Sequence, residues 1–233
     1  MKKLFNPSQL RTVTILRFLY PVWTVIALLS LMYISSEIIA PGNPLATPQN
    51  IQANAILYNL SIAGSLITQL IHIFVVLLLW HLFESVNRNL AGLILVLGLV
   101  SVPIAMFNTV NIFAAQLAVT NDDFLNGITT LQSQSLMMFF LNLYEKGLLV
   151  AQVFWGLWLF PIAFLIYESG YFHKIAGHFL IIAGFGYALA SFGEIIFPAA
   201  SSSFIFTIFT IMSMGEILFM LWVVIGGAKL PKE

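Results

Sequence analysis

The sequence predicts an all-α, polytopic integral membrane protein: one domain over residues 1–233, a six-helix bundle with both termini cytoplasmic. Three observations predict it. Hydrophobic residues make up 60 % of the 233 and charged residues only 8 %, against about 25 % charged in soluble domains. Six stretches are each long enough to cross a bilayer core, which takes about 20 apolar residues. Lys and Arg alternate from loop to loop as a membrane orientation requires. The net charge is zero, which argues against a nucleic-acid partner. The chain has no cysteine, so disulfides, thiolate metal sites and a cysteine nucleophile are excluded.

The spans run at about Val13–Ser35, Ile56–Phe83, Leu90–Leu117, Met137–Tyr167, Ile175–Phe197 and Phe204–Gly227. "APGNPLATPQN", with three prolines, ends the first, and its "TPQNIQANAILYN" continuation reads as a helix start along the outer interface. "ESVNRN" is a tight polar turn, "AVTNDDFLNG" an acidic loop, "ESGYFHK" a glycine-containing turn and "PAASSS" a short Pro/Ser loop. Pro161 should kink the fourth helix. Lys2, Lys3, Arg11 and Arg17 precede or open the first span. Arg88 lies in the second loop, Lys174 in the fourth, and Lys229 and Lys232 in the tail; the first, third and fifth loops carry no Lys or Arg. That bias puts both termini in the cytoplasm, with an uncleaved first span.

Helical spacing gathers the polar residues on faces. Tyr58, Ser61, Ser65, Thr68, Gln69 and His72 share one arc of the second span. Ser101, Asn108 and Asn111 share one in the third, and Asn142, Glu145, Gln152 and Gly156 one in the fourth with Lys146 on its flank. Tyr187, Ser191 and Glu194 cluster on the fifth. Unpaired polar groups are costly in lipid, so these faces should turn toward one another. Two outcomes stay open: interhelical hydrogen bonding that only glues the bundle, or an outward-opening polar site closing near His72. A small-residue stripe in the fifth span, Ala176, Gly177, Ala183, Gly184, Ala190 and Ser191, suits close helix packing. Trp158 and Tyr167 read as rings near the cytoplasmic interface.

Three charged residues stand out by depth. Lys146 lies 21 residues before Tyr167 and Glu194 lies 19 after Ile175, about 31 and 28 Å along their helices at 1.5 Å per residue. Equal depth on consecutive helices predicts an ion pair or a shared cluster, with Glu145 and Asn108 nearby. Glu216 is the stranger case, with eleven apolar or small residues behind it, Ile217 to Gly227. It and His72 both fall about 16 Å from the cytoplasmic ends of their helices, near the bilayer midplane. An isolated ionised carboxylate is expensive there. Glu216 should therefore face the interior, where it either bonds His72 or Gln69 or stays protonated on a carbonyl or water.

No P-loop, GxSxG, HExxH or dinucleotide fingerprint is present, and no catalytic residue, metal site or cofactor is expected. Of the four histidines, His173 reads as a solvated turn residue. His81 and His178 share a depth near the cytoplasmic boundary but have no other ligand to join them.

The stretch "FWGLWLFPIAFLIYESGYFHKIAGHFLIIAGFGYALASF" (Phe154–Phe192), with "LWHLFESVNRNLAGL" (Leu79–Leu93) and "GEILFMLWVVIGG" (Gly215–Gly227), resembles the membrane family catalogued as domain of unknown function 4386. The resemblance implies a bacterial membrane protein of several spans, located in the cytoplasmic (inner) membrane, and brings no activity. The expected function is an outward-facing polar intramembrane site that binds or moves a small amphipathic ligand or protons. Its candidates are Gln69, His72, Asn108, Asn111, Glu145, Lys146, Gln152, Glu194 and Glu216. Membrane lipid and a small amphipathic ligand are the expected partners. The alternatives are a membrane-embedded enzyme acting on a lipid through Glu145, Lys146 and Glu194, and a structural or regulatory subunit.

Overall fold

The computed structural model describes residues 7–33, 38, 40, 46–120, 126–200 and 204–228. Lys2, Lys3, Lys229, Lys232 and the acidic Asp122–Asp123 pair lie outside them, as do parts of the first, third and fifth loops. The described residues are helical with no strand. In order they form α1 (Pro7–Tyr33), α2 (Ala46–Ala53), α3 (Ala55–Phe83), α4 (Arg88–Thr120), α5 (Thr130–Leu157), α6 (Leu159–Ser169) and α7 (Lys174–Ile196). A 3-10 turn at Pro198–Ala200 follows, then α8 (Phe204–Ser213) and α9 (Gly215–Gly226). Six helical segments are long and apolar enough to cross a membrane: Gln9–Ser30, Ala55–Phe83, Arg88–Thr120, Thr130–Ser169, Lys174–Ile196 and Phe204–Gly226. Phe18, Ile56, Phe107 and Ile225 are each at least 75 % exposed, as side chains dissolved in hydrocarbon would be.

Local chemistry sets the ends. α2 is the expected helix start, and Asn54 carries it into α3: its N–H donates to the Asn50 carbonyl at 3.0 Å and its carbonyl accepts from Tyr58 at 2.9 Å. Asn87 opens α4, its Oδ1 accepting from the Leu90 N–H at 3.2 Å. α5 starts a full two turns before the expected Met137 because Thr129 and Gln132 form a capping box. Thr129 Oγ1 accepts from the Gln132 N–H at 3.3 Å, and Gln132 Oε1 accepts from the Thr129 N–H at 2.8 Å. The expected kink of this span is a break at Trp158, between α5 and α6. Pro161 has no N–H to offer the Leu157 carbonyl, where α5 ends. Gly170, at φ 66°, closes α6 in the left-handed region. His173 does more than sit in solvent. It caps α7, Nδ1 accepting from the Ile175 N–H at 3.3 Å, and stacks on Trp222 with centroids 5.6 Å apart.

The fold clusters into two compact units. The first takes the described residues up to Trp23, Ile71–Val102 and everything described from Leu149 onward; the second takes those of Thr24–Leu70 and Pro103–Leu148. α1, α3, α4 and α5 thus each contribute to both. The first unit packs on Leu16, Tyr20, Val76, Leu79, Trp158, Leu180 and Phe219. The second packs on Ile51, Tyr58, Ile62, Ile112, Met137, Leu141 and Tyr144.

In the first unit the small-residue stripe of α7 packs closely at Gly184, and Gly186, outside that stripe, does the same on another side. A Cβ on Gly156 would lie 2.8 Å from the Gly184 carbonyl oxygen, and one on Gly186 2.6 Å from the Ser213 nitrogen. α7 therefore meets α5 and α8 backbone to backbone. Arg17 of α1 reaches the C-terminal turn of α9, its Nε and Nη2 donating to the Val224 carbonyl at 3.1 and 2.6 Å. A cation there satisfies a terminal carbonyl and complements the helix dipole.

Candidate functional site

The last span is interrupted at Met214, and the interruption places Glu216. The Met214 N–H bonds the Ile211 carbonyl at 3.1 Å and the Ile217 N–H bonds Met214 at 3.0 Å, both tighter than α-helical spacing. Glu216 thereby occupies the first turn of α9, the end of a helix that favours negative charge. Gly215 lets this turn lie against α7, where an added Cβ would collide with the Phe179 carbonyl oxygen.

Glu216 is 9 % exposed and faces protein, as expected. Its partners are not the expected ones. Tyr20 of α1 donates to Oε1 at 3.3 Å and Tyr187 of α7 donates to Oε2 at 3.3 Å. The carboxylate is shared by two phenols from two other helices, one on each oxygen. The expected hydrogen bond to His72 is not formed, because neither imidazole nitrogen has a partner. Spacing placed Tyr187 in the polar cluster of the fifth span but not beside Glu216, and it did not single out Tyr20; the missed signal was a phenol on each of two helices that could reach the depth of a lone buried acid.

His72 is 1 % exposed and sits among rings. Its centroid is 4.9 Å from that of Trp23 and 4.8 Å from that of Trp158, and the two indoles meet edge to face at 6.3 Å. Trp158 is itself 1 % exposed, so it is a core residue of the first unit and not a boundary ring. Tyr20 joins this group to Glu216: its ring lies 5.4 Å from that of Trp23. Both indole Nε1 atoms and both imidazole nitrogens are buried without a hydrogen-bond partner. The Gly98 backbone lies against the His72 ring outside normal hydrogen-bond geometry.

The other candidates separate. Gln152 accepts from the Ser191 hydroxyl at 3.2 Å, which ties α5 to α7 in the first unit. In the second unit the polar face of α3 is buried as expected, but its hydroxyls return to their own helix: Ser61 to Tyr58, Ser65 to Ser61 and Thr68 to Gly64. Gln69 is 7 % exposed with Oε1 unpartnered. Asn108 donates to the Tyr144 carbonyl at 2.8 Å and its Oδ1 accepts from Asn111 at 2.9 Å. Gly147 makes room for it, since a Cβ there would overlap the Asn108 amide. Asn142, Glu145 and Lys146 are exposed, against the expectation of an inward polar face. Met137, Leu141 and Tyr144 take the buried side of that helix instead. Glu194 is half-buried. His81 pairs with Glu84 at 2.9 Å, and His178 donates to the Lys174 carbonyl at 2.9 Å.

Comparison with known proteins bears on the family alone. An uncharacterized protein of Archaeoglobus fulgidus is 38 % identical over 81 residues, which is 34 % of this chain and 46 % of that protein. The match thus spans about half of that relative's length. No solved structure matches the chain. Residues 18–227 match the family model described as Domain of unknown function (DUF4386). That match takes in all six membrane-length helices in whole or in greater part, the Glu216 tyrosines and the ring cluster, and the chain belongs to the DUF4386 family.

Proposed function

We infer that the protein exchanges a proton at Glu216 and binds a small amphipathic ligand inside its helices. The observation that carries the reading is the carboxylate of Glu216, buried in an apolar span and held by one tyrosine hydroxyl on each oxygen. Intramembrane acids are costly and mark proton or substrate paths more often than packing sites. Hydroxyls suit such a group because they serve both protonation states. They donate to the carboxylate, and one can turn to accept when the acid carries its own proton. Exchange therefore needs no rearrangement of the surrounding helices. Infrared difference spectra across a pH titration of the full chain in lipid should show a carboxyl band that Glu216→Gln removes. Superimposable spectra from the two proteins would reduce Glu216 to a helix-packing residue.

The charge pattern supports a placement with both termini inside, and the family resemblance of the sequence implies a bacterial cytoplasmic membrane. Reporter fusions after Asn89 and Lys174 are expected to read cytoplasmic, and fusions near Gly42 and Asp123 external. A cytoplasmic signal at Asp123 reverses the assignment.

A further inference from the structure

We propose that Trp23, His72 and Trp158 form a docking site for the neutral oxygen of a lipid-borne amphiphile, a carbonyl compound above all. The inference rests on the reading above for the presence of a ligand, and it adds the ligand's chemical class and the atoms that hold it. Three rings from α1, α3 and α5–α6 touch pairwise with centroids 4.8 to 6.3 Å apart. Both indole nitrogens are buried and unpartnered, and the imidazole nitrogens close no hydrogen bond of normal geometry, the Gly98 backbone being near but out of line. Buried polar groups are normally satisfied, and several orphans on mutually touching rings are a concentrated exception.

The donor count selects the guest. An indole N–H only donates, and a neutral imidazole donates once and accepts once. The cluster therefore offers more donors than acceptors, which matches an oxygen with lone pairs and does not match a cation. A quaternary ammonium group would also find ring faces, but it would leave each N–H unsatisfied. An anion meets the opposite objection. Tyr20, against Trp23 at 5.4 Å, hands its hydroxyl to the acidic Glu216, and none of the three rings carries a fixed positive charge. What remains is a neutral oxygen. The rest of the guest should be apolar, since the two indoles pack in the apolar core of the first unit with Val75, Val76, Leu79 and Phe219.

The test is equilibrium binding of a radiolabelled long-chain methyl ketone to the detergent-solubilised full chain. The parent alkane and a long-chain quaternary ammonium compound serve as competitors. Saturable binding is expected, displaced by unlabelled ketone at least tenfold more effectively than by either competitor. His72→Phe and Trp158→Phe keep a ring in place and remove its nitrogen, and each should weaken binding about tenfold. Trp23→Phe should do the same. In protein carrying nitrogen-labelled tryptophan, the ketone should shift two indole N–H resonances, those lost in Trp23→Phe and Trp158→Phe. This second reading needs no variant to bind ligand. Non-saturable uptake, equal competition by the alkane, preference for the ammonium compound, or unmoved indole resonances would each overturn the proposal. The two readings fail separately: the infrared titration reports on Glu216 without ligand, and ketone binding reports on the rings without a proton.

Discussion

Gly215→Ala is expected to prevent the first unit from assembling, although it adds a single methyl group. The new Cβ would overlap the Phe179 carbonyl oxygen and come within 3.2 Å of the Ala183 Cβ. A helix carbonyl cannot swing aside as a long side chain can. The strain has to be relieved by parting α9 from α7, and with them Glu216 from Tyr187. Overpacking alone costs about 1–3 kcal/mol, occasionally more. Lost helix contact adds to it, so a loss of about 3 kcal/mol or more is expected. Gly92→Ala is the matched control, because nothing lies within 4 Å of its Cβ. There the better helix propensity of alanine should leave stability unchanged or raise it by up to about 1 kcal/mol. Thermal midpoints of the two variants in one detergent decide the matter. Equal midpoints would mean that α7 and α9 do not meet at Gly215.

The second large effect is a reversal of sign at Tyr187. With Glu216 in place, Tyr187→Phe removes a hydrogen bond between helices and should cost about 1 kcal/mol, the scale measured for such bonds in membranes. The 3.3 Å separation is long for an O–H···O bond, which keeps the figure modest. Glu216→Leu should cost about 2–4 kcal/mol, because it strands buried hydroxyls at about 1–3 kcal/mol each. In that background the Tyr187 hydroxyl is only a burden. Removing it with Tyr187→Phe should then be neutral or stabilising. A double-mutant cycle under reversible denaturation measures the coupling. If Tyr187→Phe costs the same in both backgrounds, the carboxylate and the phenol do not interact.

Most of the architecture was legible because hydropathy and punctuation act over many residues at once. Six apolar runs gave six membrane-length helices, and the α3 face from Tyr58 to His72 is buried along its length. The errors arise where one local interaction outranks the average. The capping box at Thr129–Gln132 starts α5 early, and the missing N–H of Pro161 ends it at Leu157. Face assignment proved harder than span assignment. Spacing places Asn142 and Glu145 on one side of α5, but nothing in the spacing says that Met137, Leu141 and Tyr144 will claim the interior. The site was half legible for the same reason. Depth singled out Glu216 and His72, but depth carries no azimuth. The carboxylate found phenols and the imidazole found indoles, residues whose polar atoms are single and hidden within apolar rings.

The contacts that Arg17 and Tyr20 make with the last helix have a consequence for biosynthesis. Arg17 and Val224 are 207 positions apart, and Tyr20 and Glu216 are 196 apart. At about 5–20 residues per second, a ribosome needs about 10–40 s to make the partners of a helix it has already released. Throughout that interval a guanidinium destined for a helix end and a phenol destined for burial belong to a segment already entering the bilayer. They must be satisfied by headgroups, water or the insertion machinery, and then exchange those companions for α9. The internal acid and the two helices that share it are thus joined only once α9 has been made, and any pause or cut before Glu216 leaves the first span carrying its polar groups alone.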